Sequence, residues 1–481
     1  MEALQEEAAP LSVPIWINNV ATLVMVAGVI IALVRVVNSV WVKPRTLERW
    51  LTQQNLKGNS YRFVYGDLKE MEKMVQHANS KPISLDDDIV PRIIPFHLHI
   101  IRNYGEKCFI WLGGRPMVNT TNPEELKDVF NKISVFQKIP NNPLAKLLVS
   151  GIIEYNGETW VKHRKIINPA FHHEKLKLML PAFYECCNKM VNEWKKLVSE
   201  SENGSMDLDV WPWSQGMTAD VISRTAFGSS CEEGRKVLQL QIQQAHLTHK
   251  VLRSIYIPGW RFVPTKLNRR LKELEKEITL LLRGIINKRE KGREEGEAPT
   301  DDLLGILLES NHREMEDNIN GNNKNVGMSI EDVSQLASSS KRRGPPTLWL
   351  YPPAPILTRV VLEETRLGNL RLPAGSGIVI PAILVHQDPL LWGDDAKDFN
   401  PQRFCEGISK ATKSQTSYLP FGWGPRICIG QNFALLEVKM ALCLILQNFS
   451  FELSPSYTHA PIVVLTLQPQ FGTHIILHKL Y

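Results

Sequence analysis

Between Pro14 and Val34 the chain carries no charged side chain, and from Val20 to Val34 it is almost continuously apolar. A helix rising about 1.5 Å per residue needs about 20 residues to cross the ~30 Å hydrocarbon core of a bilayer, so the pattern predicts a transmembrane anchor over residues 14–34. Glu2, Glu6 and Glu7 precede the stretch, whereas Arg35, Lys43, Arg45 and Arg49 follow it. The positive-inside rule then leaves a lumenal tail at residues 1–13 and a cytosolic body over residues 35–481. A cleaved signal peptide is the rival reading, but it calls for a basic leading region and a small-x-small cleavage site, and neither is evident.

Downstream, the charge pattern from Arg45 to Asn79 is helical, and Ile83 to Thr120 mixes short strand-like runs such as Cys108–Leu112 with loop residues. Glu124 to about Ser310 reads as mostly helical. Within it, Asp301–Leu308 opens on two acidic residues that suit the positive end of a helix dipole. Residues 311–328 are Asn-rich and polar, hence a loop, and Ser329-Ile-Glu-Asp332 resembles a capping box. That helix is cut short by the linker-like run from Leu336 to Pro346. Pro-bounded turns, the strand-like Gly377–Pro381 and an apolar helix from about Gln431 to Gln447 complete a mainly α fold with small β-sheets.

Composition narrows the classes without deciding among them. The 481 residues are 43% hydrophobic and 22% charged, which is ordinary globular chemistry. A net charge of +6 is far from the basic stripe of a nucleic-acid binder. Seven cysteines at irregular spacing, with no C-x-x-C pair, argue against a disulfide framework or a thiolate zinc site and for a reducing compartment.

The chemistry concentrates in Phe421-Gly-Trp-Gly-Pro-Arg-Ile-Cys-Ile-Gly430, which runs directly into Gln431-Asn-Phe-Ala-Leu-Leu-Glu437. Glycines at 422, 424 and 430 let backbone turn sharply against a bulky planar group. Cys428 stands at the N-terminus of the next helix, where partial positive charge and free N–H groups favour a thiolate. Such a sulfur is the axial ligand that pushes electron density into haem iron. A second segment, Gly157–Arg164, places Trp160 and Arg164 four residues apart, so on one helical face an indole N–H and a guanidinium can both reach carboxylates.

These segments resemble the cytochrome P450 family over nearly the whole chain. The resemblance implies that Cys428 is the proximal ligand of a haem b iron, with Phe421 and Gly430 completing its loop. It further implies that Trp160, Arg164, Arg359 and Arg426 hold the haem propionates and that Arg403, in Phe399-Asn-Pro-Gln-Arg-Phe404, is structural. Thr218–Gly228 and Trp392–Pro401 point to the plant microsomal branch that contains secologanin synthase. The expected activity is insertion of one oxygen atom from O2 into an apolar, terpenoid-like small molecule, with electrons from NADPH through cytochrome P450 reductase, at the endoplasmic reticulum membrane and without nucleic acid.

The family pattern breaks between about residues 336 and 349. P450s carry a distal helix of about 30 residues bearing an A-G-x-[DE]-T acid and alcohol pair, and no such motif occurs. Ser329 to Ser338 leaves room for about 14 Å of helix where a 30-residue helix spans about 45 Å. The E-x-x-R preceding Leu350-Tyr-Pro-Pro353 is missing as well, and Glu363-Glu-Thr-Arg366 repeats its spelling by coincidence. An unpaired Arg403 is therefore expected, at a cost on the order of 3 to 5 kcal/mol. Catalytic acid and alcohol residues are unknown. A catalytically dead relic that still binds haem, and a haem-thiolate isomerase or dehydratase, stand beside the monooxygenase reading.

Overall fold

The apolar stretch is helical from Ile15 to Val37, passes through a π-helical segment at Asn38–Val42 and continues as Lys43–Gln53. In this computed structural model the described residues are 15–139, 146, 151–228, 231–252, 260–296, 302–309 and 348–480. Among them this is the one helix long and apolar enough to cross a membrane, and from Leu23 to Val37 its large apolar side chains are exposed, as a lipid-facing helix requires. Its last turns are different. Leu47 and Leu51 are buried in the core of the body, so the helix grips the globular part at one end. The readings made for residues 1–13, 311–328, 329–332 and 336–346 lie outside the described residues.

Helices dominate from Pro123 onward, as the periodicity predicts. Their starts follow from capping chemistry: the Asn122 side chain accepts from the N–H groups of Glu124 and Glu125, Asp209 from that of Trp211, and Asp302 from that of Gly305. The helices Leu180–Glu200, Val210–Phe227 and Lys266–Glu294 pack with residues 303–309 around the largest apolar core, which includes Phe183, Phe227, Leu274 and Leu304. Two elements depart from expectation. Pro95–Tyr104 is a helix inside a region read as strands and loops, because its apolar residues Phe96, Ile100 and Ile101 fall on a 3.6-residue period. Ser205–Asp209, inside the helical region, is a strand that the C-terminal His474–Lys479 recruits by antiparallel pairing.

The larger sheet has six strands in the order Lys57–Gly58, Cys108–Leu112, Arg115–Asn119, Gly377–Ile380, Leu357–Val361 and Phe136–Gln137. Its far edge positions chemistry. Phe136 and Gln137 pair antiparallel with Val361 and Val360, so the next residues in that register are Lys138 and Arg359. Glu363–Arg366 leads into the hairpin of Thr365–Leu367 with Leu370–Leu372, in agreement with its reading as a coincidental match.

His386 lies at the centre of the meander that follows the sheet. Its Nδ1 lies 2.9 Å from the Trp349 carbonyl, its Nε2 accepts from the Leu419 N–H at 2.8 Å, and the Trp349 indole donates back to the His386 carbonyl at 2.9 Å. This network fixes the neutral Nδ1–H tautomer, because a second ring proton would face an N–H donor. Burial pushes the His386 imidazole down to about 4, and that of His97 likewise. A histidine whose folded pKa is depressed binds its proton first in the unfolded chain, so stability is retained above pH 6.5 and lost as pH falls from there towards 4. Chemical-denaturation midpoints measured between pH 5 and 6 are expected to fall with pH, and His386→Gln to reduce the slope by about 1.4 kcal/mol per pH unit. An unchanged slope would mean that His386 titrates normally.

Candidate functional site

The Cys428 loop is built by two glycines and a helix start. Gly422 and Gly424 have φ of 72° and 74°, a left-handed backbone that a side chain would strain. At Gly424 an added Cβ would also lie 3.0 Å from the Phe130 carbonyl oxygen. Gly430 differs from the sequence expectation: its φ is −92°, an ordinary value, and it serves as the N-cap residue of the Gln431–Asn448 helix. The loop closes on itself through the Cys428 N–H, which donates to the Phe421 carbonyl at 2.9 Å. Cys428 is half-buried two residues ahead of the helix cap.

All seven residues singled out from the sequence converge on one cavity. Trp160, Arg164, Arg359, Phe421, Arg426, Cys428 and Gly430 line a space of about 320 Å³, whose remaining wall is largely apolar, with Ile152, Ile167, Phe171, Ile222, Leu303 and Leu307. Arg164 donates to the Ile427 carbonyl at 3.0 Å, tying the Gly157–Ile167 helix to the cysteine loop. Arg426 stacks its guanidinium 4.7 Å over the Trp160 ring and donates to the Asn156 side-chain oxygen at 2.8 Å and to the Tyr155 carbonyl. Its Nε is buried with no hydrogen-bond partner among the described residues. Arg359 is buried and donates to the Thr358 carbonyl at 2.8 Å.

Sequence reasoning missed Lys138, which lines the same cavity. Its only signal was position, one residue beyond a two-residue strand, and no motif marks it. Burial pushes its ammonium down to about 7, with Arg359 and Arg426 adding repulsion and Cys428 opposing. Burial likewise pushes Arg359 and Arg426 down to about 10, Arg426 also under repulsion from Arg359 and Arg164, and it lowers Arg164. Among the described residues no carboxylate forms an ion pair with any of these four cations. The site therefore presents a cluster of desolvated positive charge beside a thiol and an apolar wall, with Glu437 also on the lining but in no ion pair with these cations.

Comparison with known proteins gives this arrangement its context. A family model described as Cytochrome P450 matches residues 96–338 and 347–475. The chain belongs to the cytochrome P450 family. It is 49% identical to "Cytochrome P450 CYP72A219" of Panax ginseng, with 93% of this chain and 96% of the relative covered. It is 46% identical to "Cytochrome P450 72A552" of Barbarea vulgaris, with 97% and 100% covered. The solved cyanobacterial P450 described as "Retinoic acid bound cyanobacterial CYP120A1" shares the fold, with a TM-score of 0.63 at 19% identity over 88% of this chain and 99% of that one. The P450 family carries haem b on a cysteine thiolate and performs monooxygenation. The residues here fit that group: the cations, in no ion pair among the described residues, suit its two carboxylates, the apolar wall suits its ring, and a cysteine stands at the same cavity.

The same comparisons locate the break. The family match stops at 338 and resumes at 347, leaving residues 339–346 without counterpart. The ginseng alignment runs over 500 positions but takes in 93% of 481 residues, about 447, so about fifty positions meet no residue here. The Barbarea alignment, 520 positions for 97% of the chain, leaves a similar number.

Arg403 corrects one expectation. It is not unpaired: it donates to the Asp395 carbonyl at 2.7 Å and the Trp392 carbonyl at 3.1 Å, meets the Asp395 carboxylate at 2.8 Å, and lies 4.1 Å over the Trp349 ring. The meander's own carbonyls and the aromatic ring take over much of what the absent glutamate would supply. Only Nε is left buried without a partner among the described residues. Because Trp349 is buried against Arg403, Trp392 and Phe404, Trp349→Ala is expected to cost about 3–5 kcal/mol in urea denaturation. Asp395→Asn should leave the midpoint essentially unchanged, since that carboxylate is solvent-screened. The reverse ranking would show that the ion pair, and not the ring, braces Arg403.

Proposed function

We propose that this chain is the haem-binding body of a membrane-anchored monooxygenase for apolar, terpenoid-like small molecules, supplied with electrons from NADPH by a separate reductase. In this reading Cys428 is the iron ligand and Arg164, Arg359 and Arg426 neutralise the haem carboxylates, with Trp160 shielding Arg426 from solvent. The observation that carries it is the convergence of Cys428 with buried and half-buried arginines that no carboxylate among the described residues pairs with, on one largely apolar cavity. The bound haem would supply oxygen activation. The chain's residues hold it, exclude water from its face and shape the apolar space beside it. Thiolate ligation is read in the reduced, CO-bound Soret band, which it shifts to the red. Cys428→Ala is expected to abolish that shift, and a variant that keeps it would exclude Cys428 as the ligand.

The apolar helix Ile15–Val37, exposed from residue 22 onward, supports insertion in the endoplasmic reticulum membrane, with the body on the cytosolic side where Arg35, Lys43 and Arg45 stand. The chain is expected to sediment with microsomes and to resist carbonate extraction. Deleting residues 1–35 should weaken the association, and full recovery of the intact chain in the soluble fraction would end the anchor reading.

The interruption at 339–346 favours a second statement: as encoded, the chain does not sustain oxygen insertion. Proton delivery needs an acid or alcohol about 3 Å from the reacting oxygen or one water away. Thr225, a hydroxyl lining the cavity, donates to the Val221 carbonyl of its own helix at 2.7 Å. With reductase, NADPH and a terpenoid-like substrate, no product is expected from the chain as it stands. Replacing residues 336–349 by the longer segment of a 72A-type relative should restore product. Turnover by the unmodified chain would refute the relic reading and retain the enzyme.

A further inference from the structure

We propose that the turn at residues 62–66, together with Trp41 at the foot of the apolar helix, is a lipid-binding surface: an aromatic wedge that enters the headgroup layer and fixes the roll of the body against the bilayer. The inference rests on the anchor reading above and goes beyond it, because it assigns lipid to a part of the globular body. Trp41, Phe63 and Tyr65 are 46%, 60% and 41% exposed, and the Trp41 and Phe63 rings meet edge-on with centroids 5.8 Å apart. The Arg45 guanidinium stands 5.1 Å over the Trp41 ring, and the Lys69 ammonium 3.7 Å over that of Tyr65. Aromatic rings paired with cations suit a layer of phosphate and glycerol, where Trp and Tyr gather at the edge of a membrane.

The backbone holds two of these rings outward against its own preference. Val64, between Phe63 and Tyr65, has φ of 63°, in the left-handed region that a β-branched residue disfavours. Local bonds keep it there: the Tyr65 N–H donates to the Phe63 carbonyl at 2.7 Å and the Gly66 N–H to the Arg62 carbonyl at 2.9 Å. The buried Tyr61 then ties the turn to the span. Its hydroxyl accepts from the Val64 N–H at 3.0 Å and donates to the Val40 carbonyl, inside the π-helical segment, at 2.6 Å. Depth follows from this coupling. Trp41 lies four residues beyond Val37, no more than about 6 Å along the axis, and a headgroup layer is about 5 to 8 Å thick. Phe63 touches Trp41 and so reaches the same depth. The continuity of this cluster with the exposed span selects lipid over a protein partner.

The test uses the full chain in phosphatidylcholine vesicles that contain a phosphatidylcholine carrying a photoactivatable diazirine next to its glycerol, with mass spectrometry locating the lipid adducts. Adducts are expected on residues 22–37 and again on residues 60–66. Phe63→Ser combined with Tyr65→Ser should cut labelling of the turn about tenfold, as loss of two interfacial rings gives, and leave that of the span unchanged. Both rings are exposed, so the melting midpoint in detergent is expected to stay where it is. Should the double variant melt lower, Trp41→Ser, which leaves the turn itself untouched, decides by the same loss of labelling. Labelling confined to the span, turn labelling that survives these substitutions, or an amine cross-linker joining two copies through Lys69 in place of lipid adducts would each overturn the proposal and leave the anchor intact. Absence of adducts from the span itself would overturn the anchor reading, and the proposal with it.

Discussion

Uncompensated positive charge is the constraint around which this molecule is arranged. Lys138, Arg164, Arg359 and Arg426 come from four separate segments, and each is drawn out of water by the fold. Burying such groups is costly unless an anion meets them, and no carboxylate among the described residues forms an ion pair with any of the four. The haem b that the family carries has two carboxylates and an apolar ring, and the cavity offers cations and an apolar wall. Binding would release repulsion already stored in the protein, so the cofactor is a structural member of the core as much as a reagent.

The proximal meander shows how a P450 can lose one of its braces and keep its shape. Arg403 is held by backbone carbonyls of Trp392 and Asp395 and by the face of Trp349, which is fixed in turn by reciprocal bonds with His386. Backbone acceptors and a packed ring are insensitive to which residue precedes Leu348. The chain therefore re-enters the fold in register immediately beyond the interruption, with Leu348, Trp349 and Leu350 all buried.

Much of this was legible in the sequence where chemistry is local. The Cys428 loop depends on glycines at fixed offsets, and Trp160 and Arg164 on a four-residue helical spacing, so both could be read directly. The single anchor helix was equally plain, since a bilayer admits few patterns. The place of Lys138 on the cavity wall was not legible, because it arises from strand register, and neither was the bond between Asn156 and Arg426, which lie 270 residues apart in sequence. The strand at Ser205–Asp209 was hidden for the same reason: its partner is the far end of the chain. Arg403 was misjudged because the reading counted side-chain partners and overlooked the carbonyls of its own meander.

The helix from Ile15 to Gln53 has no break between its lipid-facing turns and those locked into the body by Leu47 and Leu51. The span is consequently a lever and not a tether. In a bilayer, any tilt of the span would be transmitted to the body, and the π-helical segment at Asn38–Val42 sets the angular phase between them. Because each helical residue turns the chain by about 100°, a one-residue insertion there would swing a different flank of the molecule towards the lipid. The length of this junction thus determines which face of the body lies towards the span.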